Sequence, residues 1–597
     1  MSIQSKHFLN SADTLVLESL KGLCDLDPSL ALDSDNKILF VKEHDQEKVA
    51  LVCGGGSGHE PAHSGFERAC SQPNPAAVCG HVFASPNASQ VRRGIDLVGN
   101  KKGTVIIVKN YTGDILNFGL AKEQYAARHP SEAEKVRFVI VADDVAVGRS
   151  QGKIVGRRGL AGTVLVYKIA GALANRGASL DDVYKTAVWA SENVATIGAS
   201  LGHVHVPGTA SLRSNLPENE VEIGMGIHNE SGNKRVSPIP SLAELIKQLL
   251  DMLTSVDDPE RSFLPFKGND NVILLVNNLG SVNELELGGI VAEARKQLGE
   301  RGFKLARILS GTFMTSLNMP GFSLTLLLLP TGKDASQPSA EDIISLIDEK
   351  PKVLGWKWTA GKEPLAANQQ VVQGKTDDAS QGDVLQIKAE NPDLFVSSIH
   401  NVCKALIAAE PEITRMDTIA GDGDAGLTLK AGAQGVLALI EKGKIQGDNV
   451  LSSLIAIAQV AEEAMGGTSG ALYSIFFSAL AQGFQSQSIT QGSILTPAHW
   501  ESALSSALAK LYTYTRARRP SRTLVDPLSA FIEAAHKTGG QDLANAVKLA
   551  AEAAEETKNL VAKAGRSAYV ESDQLQKEHV ADPGAWGVKT ILETLKL

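Results

Sequence analysis

The sequence lacks any closely spaced cysteine pair: its five cysteines, Cys24, Cys53, Cys70, Cys79 and Cys403, form no CxxC and leave one over. That excludes a zinc ribbon, disfavours a disulfide framework and points to a reducing compartment. No basic run interleaved with aromatics occurs, aromatic residues make up 5% of the chain and the net charge is -9, a balance that argues against nucleic-acid binding. The longest apolar run, around Phe322–Leu329, is too short to span a bilayer, and the N-terminus has no charged-then-apolar signal pattern, so neither membrane insertion nor secretion is expected. No fixed-period repeat is present. The final Leu595-Lys596-Leu597 echoes a peroxisomal Ser-Lys-Leu address but lacks its small first residue, which leaves the cytosol as the expected location.

What is there is enough for several cores: 597 residues, 43% hydrophobic and 21% charged, a length that favours two to four domains. Apolar strand patterns at Val105–Val108 and Phe138–Val141, separated by helical stretches such as Gly162–Arg176, predict an α/β domain with a largely parallel sheet. Asn271–Val276 begins a second α/β unit. The texture changes after Trp358, where Glu363–Lys388 is polar, rich in Gln and Gly and without apolar periodicity, as in a linker. Beyond it, Leu451–Met465, Ala471–Phe484, Trp500–Tyr514, Ala530–Lys537 and Leu543–Ala564 are alanine-rich and helix-periodic, predicting an all-α domain.

Three strand ends in the first part carry chemistry. Val49–Cys53 runs into Gly54-Gly-Gly-Ser-Gly-His59-Glu-Pro61, read as a glycine-rich turn whose N–H groups can approach an anionic or polyhydroxylated ligand. No Gly-Lys-Ser/Thr follows, so it is not a P-loop, and His59 stands where the dinucleotide fingerprint needs glycine. Thr104–Val108 delivers Lys109, Asn110 and Asp114 into a loop at a strand's C-terminal end, where open parallel sheets bind ligands. Val221–Ile223 leads into a Gly-flanked turn bearing His228. Each has a bland alternative: a packed histidine, a helix-capping aspartate, an exposed strand-end lysine.

In the helical part, Asp417, Asp422 and Asp424 are interspersed with Gly421, Gly423 and Gly426, a spacing that lets three carboxylates converge on hard cations. It is not an EF-hand, because the glycine falls too early and no closing carboxylate follows. An acidic surface turn is the alternative. Gly466-Gly-Thr-Ser-Gly470, between two helical stretches, can offer N–H groups and the Thr468 and Ser469 hydroxyls to phosphate oxygens, or be a plain helix–helix turn.

Taken in order, Gly-Gly-Gly-Ser-Gly-His-Glu-Pro (54–61), Asn-Tyr-Thr-Gly-Asp (110–114), Gly-Arg-Arg-Gly-Leu-Ala-Gly-Thr (156–163), Gly-Met-Gly-Ile-His (224–228), Ser-Leu-Asn-Met-x-Gly-Phe (316–322) and Gly-Asp-Gly-Asp-x-Gly (421–426) resemble the single-chain, ATP-dependent dihydroxyacetone kinases of fungi and animals over nearly the whole chain. The resemblance implies an α/β substrate domain of two subdomains over 1–360, split near 195–210, a linker over 361–390 and an all-helical nucleotide domain over 391–597. It also implies that dihydroxyacetone, and glyceraldehyde, are phosphorylated by ATP while held as a hemiaminal on His228. Asp114 is then the base and His59 the acid–base partner, with Gly56, Ser57, Gly58 and Lys109 cradling the triose. Asp417, Asp422 and Asp424 would hold two magnesium ions. ATP would lie against Asp424, Ala425, Gly426, Leu427, Thr428, Thr468, Ser469, Thr515, Thr523, Leu524, Asp582, Pro583 and Gly584. The family forms homodimers; no nucleic-acid or membrane partner is implied.

Two stretches depart from the family pattern. His228-Asn-Glu-Ser-Gly stands where His-Gly-Glu-Pro-Gly is usual, and Thr515-Arg-Ala-Arg-Arg-Pro-Ser-Arg-Thr523 carries extra arginines in place of a Gly-rich loop. Two further readings stay open: cleavage of FAD to a cyclic flavin phosphate with manganese on the same carboxylates, as animal relatives perform, and a catalytically silent regulator of the same fold.

Overall fold

The structure is a computed structural model; it describes residues 6–8, 11–43, 45–59, 75–99, 101–209, 216–332, 337–350, 356, 362–364, 385–564 and 578–595, without the side chains of 75, 154 and 155. Glu60 and Pro61 of the first motif, Trp358, most of the 361–390 linker and the last two residues of the terminal tripeptide lie outside these. The chain divides into two compact units, Met1–Val372 and Gln373–Leu597.

The first unit is built on two six-stranded sheets. In one, strands β1 (Leu30–Asp33), β2 (Ile38–Val41), β3 (Ala50–Ser57), β4 (Pro75–Val82), β5 (Thr104–Lys109) and β6 (Val136–Val141) lie in the order β1-β2-β4-β3-β5-β6. β4, β3, β5 and β6 run parallel, as the apolar strand patterns predict, with β1 and β2 added antiparallel at one edge. Parallel strands share one C-terminal edge, so the residues following β3, β4, β5 and β6 are brought together there.

The second sheet holds β7 (Val194–Ser200), β8 (Val221–Ile223), β9 (Lys234–Val236), β10 (Asn271–Asn278), β11 (Lys304–Gly311) and β12 (Gly321–Leu328), ordered β11-β10-β12-β7-β8-β9. It is mostly antiparallel: β10 and β11 form a parallel pair, and β12 inserts antiparallel between β10 and β7. The second α/β unit expected from Asn271 onward therefore also takes in strands that precede it, beginning at Val194.

The two sheets share a core. Helix Gly162–Asn175 is buried on nearly every face, from Val164 and Leu165 to Ala174, the pattern of a helix enclosed all round rather than laid on a surface. Its apolar cluster joins Leu51, Ile107 and Val139 of the first sheet to Ile273, Leu275 and Leu327 of the second. The sheets are thus parts of one packed body.

The second unit is helical, as the alanine-rich periodicity predicts: its helices include Pro392–Ala420, Ala425–Glu441, Val450–Val460, Gly467–Gln485, Pro497–Leu511, Val525–Lys537, Leu543–Glu556 and Pro583–Thr594. The helix expected over 543–564 stops at Glu556 and passes through a short 3-10 turn to an extended Leu560. Ile387, within the stretch read as linker, is fully buried, and its carbonyl accepts the Val450 N–H, so the last linker residues pack into the helical unit. Among the described residues no helix is long and apolar enough to cross a membrane.

Because Leu165 is fully enclosed between the sheets, Leu165→Ala is expected to cost the first unit about 2–5 kcal/mol, read as a lower denaturant midpoint for that unit's unfolding transition.

Candidate active site

The glycine run after Cys53 is not the turn expected from sequence: Gly54, Gly55 and Gly56 continue β3, paired to β4 at Gly54↔Val78 and Gly55↔Cys79. Their lack of side chains makes room. A Cβ on Gly54 would sit 2.1 Å from the Val78 carbonyl oxygen, and one on Gly55 would sit 3.1 Å from Asp114 Oδ2 and 3.4 Å from Lys109 Nζ. Gly54 thus admits the β4 backbone, and Gly55 lets Lys109 and Asp114 lie over the strand. Asp114 also sits differently from expectation, in the first turn of helix Thr112–Arg128 rather than in a loop.

At this edge the predicted residues are close-packed and dry. Lys109 is 1% exposed and Asp114 3%. Burial pushes the Lys109 ammonium down and the Asp114 carboxyl up from their ordinary values, and each opposes the other's shift by its charge. Ser85 Oγ, from the loop after β4, donates to Asp114 Oδ1 at 2.5 Å. Ser57 donates its hydroxyl to Gly80 O at 2.8 Å, and the Gly58 carbonyl accepts from Thr315 Oγ1 and Leu317 N. Gly56 is in the strand between them.

His59 follows β3 and His228 follows β8, 169 residues apart in sequence, yet their Nε2 atoms are 2.8 Å apart. His59 Nδ1 faces the Thr315 carbonyl at 3.2 Å, and its ring stacks on Phe83. His228 Nδ1 faces Glu230 Oε1 at 2.8 Å, while the His228 backbone N–H donates to Glu230 Oε2, also at 2.8 Å. Tyr111 packs edge-on against the His228 ring. Burial opposes ionisation of Glu230, but the His228 ring and backbone N–H outweigh it and hold the carboxyl at about 2.

The Thr315 carbonyl and the Glu230 carboxylate are acceptors, which suits an N–H on each outer nitrogen. A hydrogen bond between the inner nitrogens then needs one further proton, shared by the two Nε2 atoms. When the shared proton is on His59, His228 Nε2 presents a lone pair.

The departure from His-Gly-Glu has a structural reason. Residue 229 has φ 66, a backbone conformation glycine adopts freely and asparagine tolerates. The Asn229 amide also accepts from Val204 N at 2.8 Å and donates to Val204 O at 3.0 Å, pinning the turn to the chain after β7.

In the helical unit, Asp417, Asp422 and Asp424 bring carboxylate oxygens within 4.8 Å of one another, Asp417 buried and the other two exposed. Hard oxygen donors gathered on a glycine turn are the donor set magnesium takes, so the residues fit the metal. Asp417 Oδ2 accepts the Ala425 N–H at 3.0 Å. Asp424 is the N-cap position of the helix whose first turn holds Ala425, Gly426, Leu427 and Thr428.

Thr468 and Ser469 stand in the first turn of helix Gly467–Gln485, after Gly466 and Gly467 at φ 62 and 56. Thr523 N donates to Asp526 Oδ2, and Leu524 heads helix Val525–Lys537, where a Cβ on Gly584 would lie 3.3 Å from the Leu524 Cβ. Asp582 caps helix Pro583–Thr594 by accepting the Ala585 N–H at 2.9 Å, and burial pushes its carboxyl up to about 6. The turns at 523–524 and 582–584 are thus brought together. Thr515 accepts the Ala517 N–H within its own loop. In the arginine-rich loop, Arg518 is spent on the Tyr512, Thr515 and Ala517 carbonyls, and Arg522 is fully buried with Nη2 on Val580 O.

Sequence reasoning passed over Glu230, Tyr111, Phe83, Ser85 and Thr315. Glu230 had a readable signal, a carboxylate two residues after His228; the others are neighbours only through the sheet edge.

The chain matches the Dak1 domain over residues 21–351 and the DAK2 domain over 419–596. It is 41% identical to a dihydroxyacetone kinase of Pichia angusta, covering 99% of this chain and 98% of that relative, and 36% identical to the triokinase/FMN cyclase of Homo sapiens, covering 99% of each. Among solved structures it is similar to the dihydroxyacetone kinase of C. freundii in complex with AMP-PNP and Mg2+, at 29% identity, TM-score 0.63 and 99% of both chains.

A depressed carboxyl stabilises the fold above its unfolded value near 4.5 and loses that contribution as pH falls toward its folded value of about 2. Glu230→Gln is expected to remove this acid-side dependence, so unfolding midpoints of wild type and variant converge as pH is lowered through that window.

Proposed function

Because the chain belongs to the single-chain dihydroxyacetone kinases, which phosphorylate dihydroxyacetone with ATP, we propose a residue-level division of labour for that transfer. The His59–His228 pair carries the proposal. His228 Nε2 adds its lone pair to the carbonyl carbon of the triose, the carbonyl π electrons move to oxygen, and that oxygen takes the proton from His59 Nε2. The positive charge leaves His59 and settles on the substituted His228 ring, beside the Glu230 carboxylate that receives its Nδ1–H. The product is a hemiaminal, which selects dihydroxyacetone and glyceraldehyde and refuses glycerol, since glycerol offers no electrophile.

The tethered substrate then needs little beyond placement. Asp114, its carboxyl raised by burial, accepts the proton of the terminal hydroxyl as that oxygen attacks the γ-phosphorus of ATP. Lys109, Gly56, Ser57 and Gly58 line the triose. Asp417, Asp422 and Asp424 would hold two magnesium ions, which neutralise triphosphate charge when bound. The helix-start residues 424–428, Thr468 and Ser469, with Thr515, Thr523, Leu524 and Asp582–Gly584, form the ATP side. A cytosolic homodimer completes the reading, supported by the odd number and wide spacing of the cysteines and by the family pattern.

ATP- and magnesium-dependent turnover is measured on dihydroxyacetone and on glycerol, for wild type and His228→Ala. Wild type is expected to phosphorylate dihydroxyacetone and spare glycerol, and the substitution to lower kcat/KM by about a thousand-fold or more. Near-wild-type turnover by His228→Ala would remove the tether from the account. FAD with manganese, assayed alongside, tests the flavin reading on the same aspartates.

A further inference from the structure

Behind the triose site lies a guanidinium to which the steps above give no role. Arg158 donates from Nε to Asp144 Oδ2 at 2.6 Å and from Nη2 to Gly224 O at 2.7 Å. Its two acceptors follow strands of different sheets, and the segment holding Asp144 also bridges to Thr196 of β7. Asp144 follows β6 in the first sheet and is fully buried; its own N–H donates to Arg158 O at 3.1 Å, and its second carboxylate oxygen accepts the Ala146 N–H at 2.8 Å. Gly224 follows β8 in the second sheet and opens the turn that ends on His228.

The third arm of the guanidinium faces the nucleophile's partner across Gly226. A Cβ on Gly226 would lie 2.5 Å from Arg158 Nη1 and 2.1 Å from Glu230 Oε2, so cation and carboxylate flank a residue with no side chain to part them, near each other without a direct ion pair. The Arg158 side chain is 13% exposed, which leaves the charges poorly screened by solvent. Other ties hold the turn to its own sheet's side: Ser316 Oγ donates to Ile227 O, and Asn229 pairs with Val204. Arg158 ties it to the first sheet, which carries His59, Lys109 and Asp114.

We infer that Arg158 is a positioning residue that sets the register between the acid–base edge of the first sheet and the His228 turn of the second, holding Nε2 where it can add to the triose carbonyl. The inference rests on the tether reading. The geometry requires arginine rather than a positive charge, because the single nitrogen of a lysine cannot stand at once where Nε, Nη1 and Nη2 stand.

The test uses the full chain with dihydroxyacetone labelled with carbon-13 at its carbonyl, without ATP, followed by steady-state kinetics. Wild type is expected to move the label from a carbonyl to a tetrahedral carbon signal. Arg158→Lys is expected to lose most of that signal and about a hundred-fold in kcat/KM for dihydroxyacetone, with KM for ATP within about two-fold of wild type. Gly226→Ala, which displaces Nη1 without deleting a charge, is expected to give the same split, and thermal melts of both variants identify any that has simply unfolded. Arg158→Lys and Gly226→Ala with wild-type signal and kcat/KM would overturn the positioning role while leaving the tether intact. A parallel loss in the dihydroxyacetone and ATP parameters would overturn it in favour of a structural role. Absence of the tetrahedral signal in wild type would overturn the tether and the inference together.

Discussion

The contact between His59 and His228 constrains everything around it, because each histidine follows a strand of a different sheet and each ring is anchored at its outer nitrogen. Thr315 fixes the far nitrogen of one and Glu230 the far nitrogen of the other, so the two sheets must meet within tenths of an ångström for the inner nitrogens to bond. The buried helix Gly162–Asn175 supplies that meeting in bulk, and its packing is why a substitution in the core would be felt at the site. Arg158 supplies it locally.

The same constraint explains the composition of the strand ends. Glycine at 55 gives up a side chain so that a buried lysine and aspartate can lie across β3, glycine at 54 and 56 admits β4 and the chain after it, and glycine at 224 and 226 lets backbone and guanidinium approach. Burying Lys109 and Asp114 costs solvation of both charges, and their mutual attraction offsets part of that cost. The useful result is an aspartate with a raised carboxyl at the edge where parallel strands end.

Much of this was legible in the sequence. The parallel strands Thr104–Lys109 and Val136–Val141, the change to helical texture after the linker, the convergence of Asp417, Asp422 and Asp424, and the presence of both histidines all follow from periodicity, spacing and motif. What stayed hidden is what depends on tertiary placement. A glycine run reads the same in a turn and in a strand, and β4 decided between them. The second sheet mixes directions because β12 threads between β10 and β7, a pairing no local pattern encodes. Asn229 departs from the family's glycine, and its φ and its bonds to Val204 show a residue that tolerates the conformation and adds a clamp.

A crystal structure of the full-length protein soaked with dihydroxyacetone in the absence of nucleotide tests the central claim most directly. The account predicts continuous density from His228 Nε2 to the central carbon of the triose, a tetrahedral centre there, and the former carbonyl oxygen within hydrogen-bonding distance of His59. An intact planar ketone standing clear of His228, or a covalent bond to Lys109 instead, would contradict it.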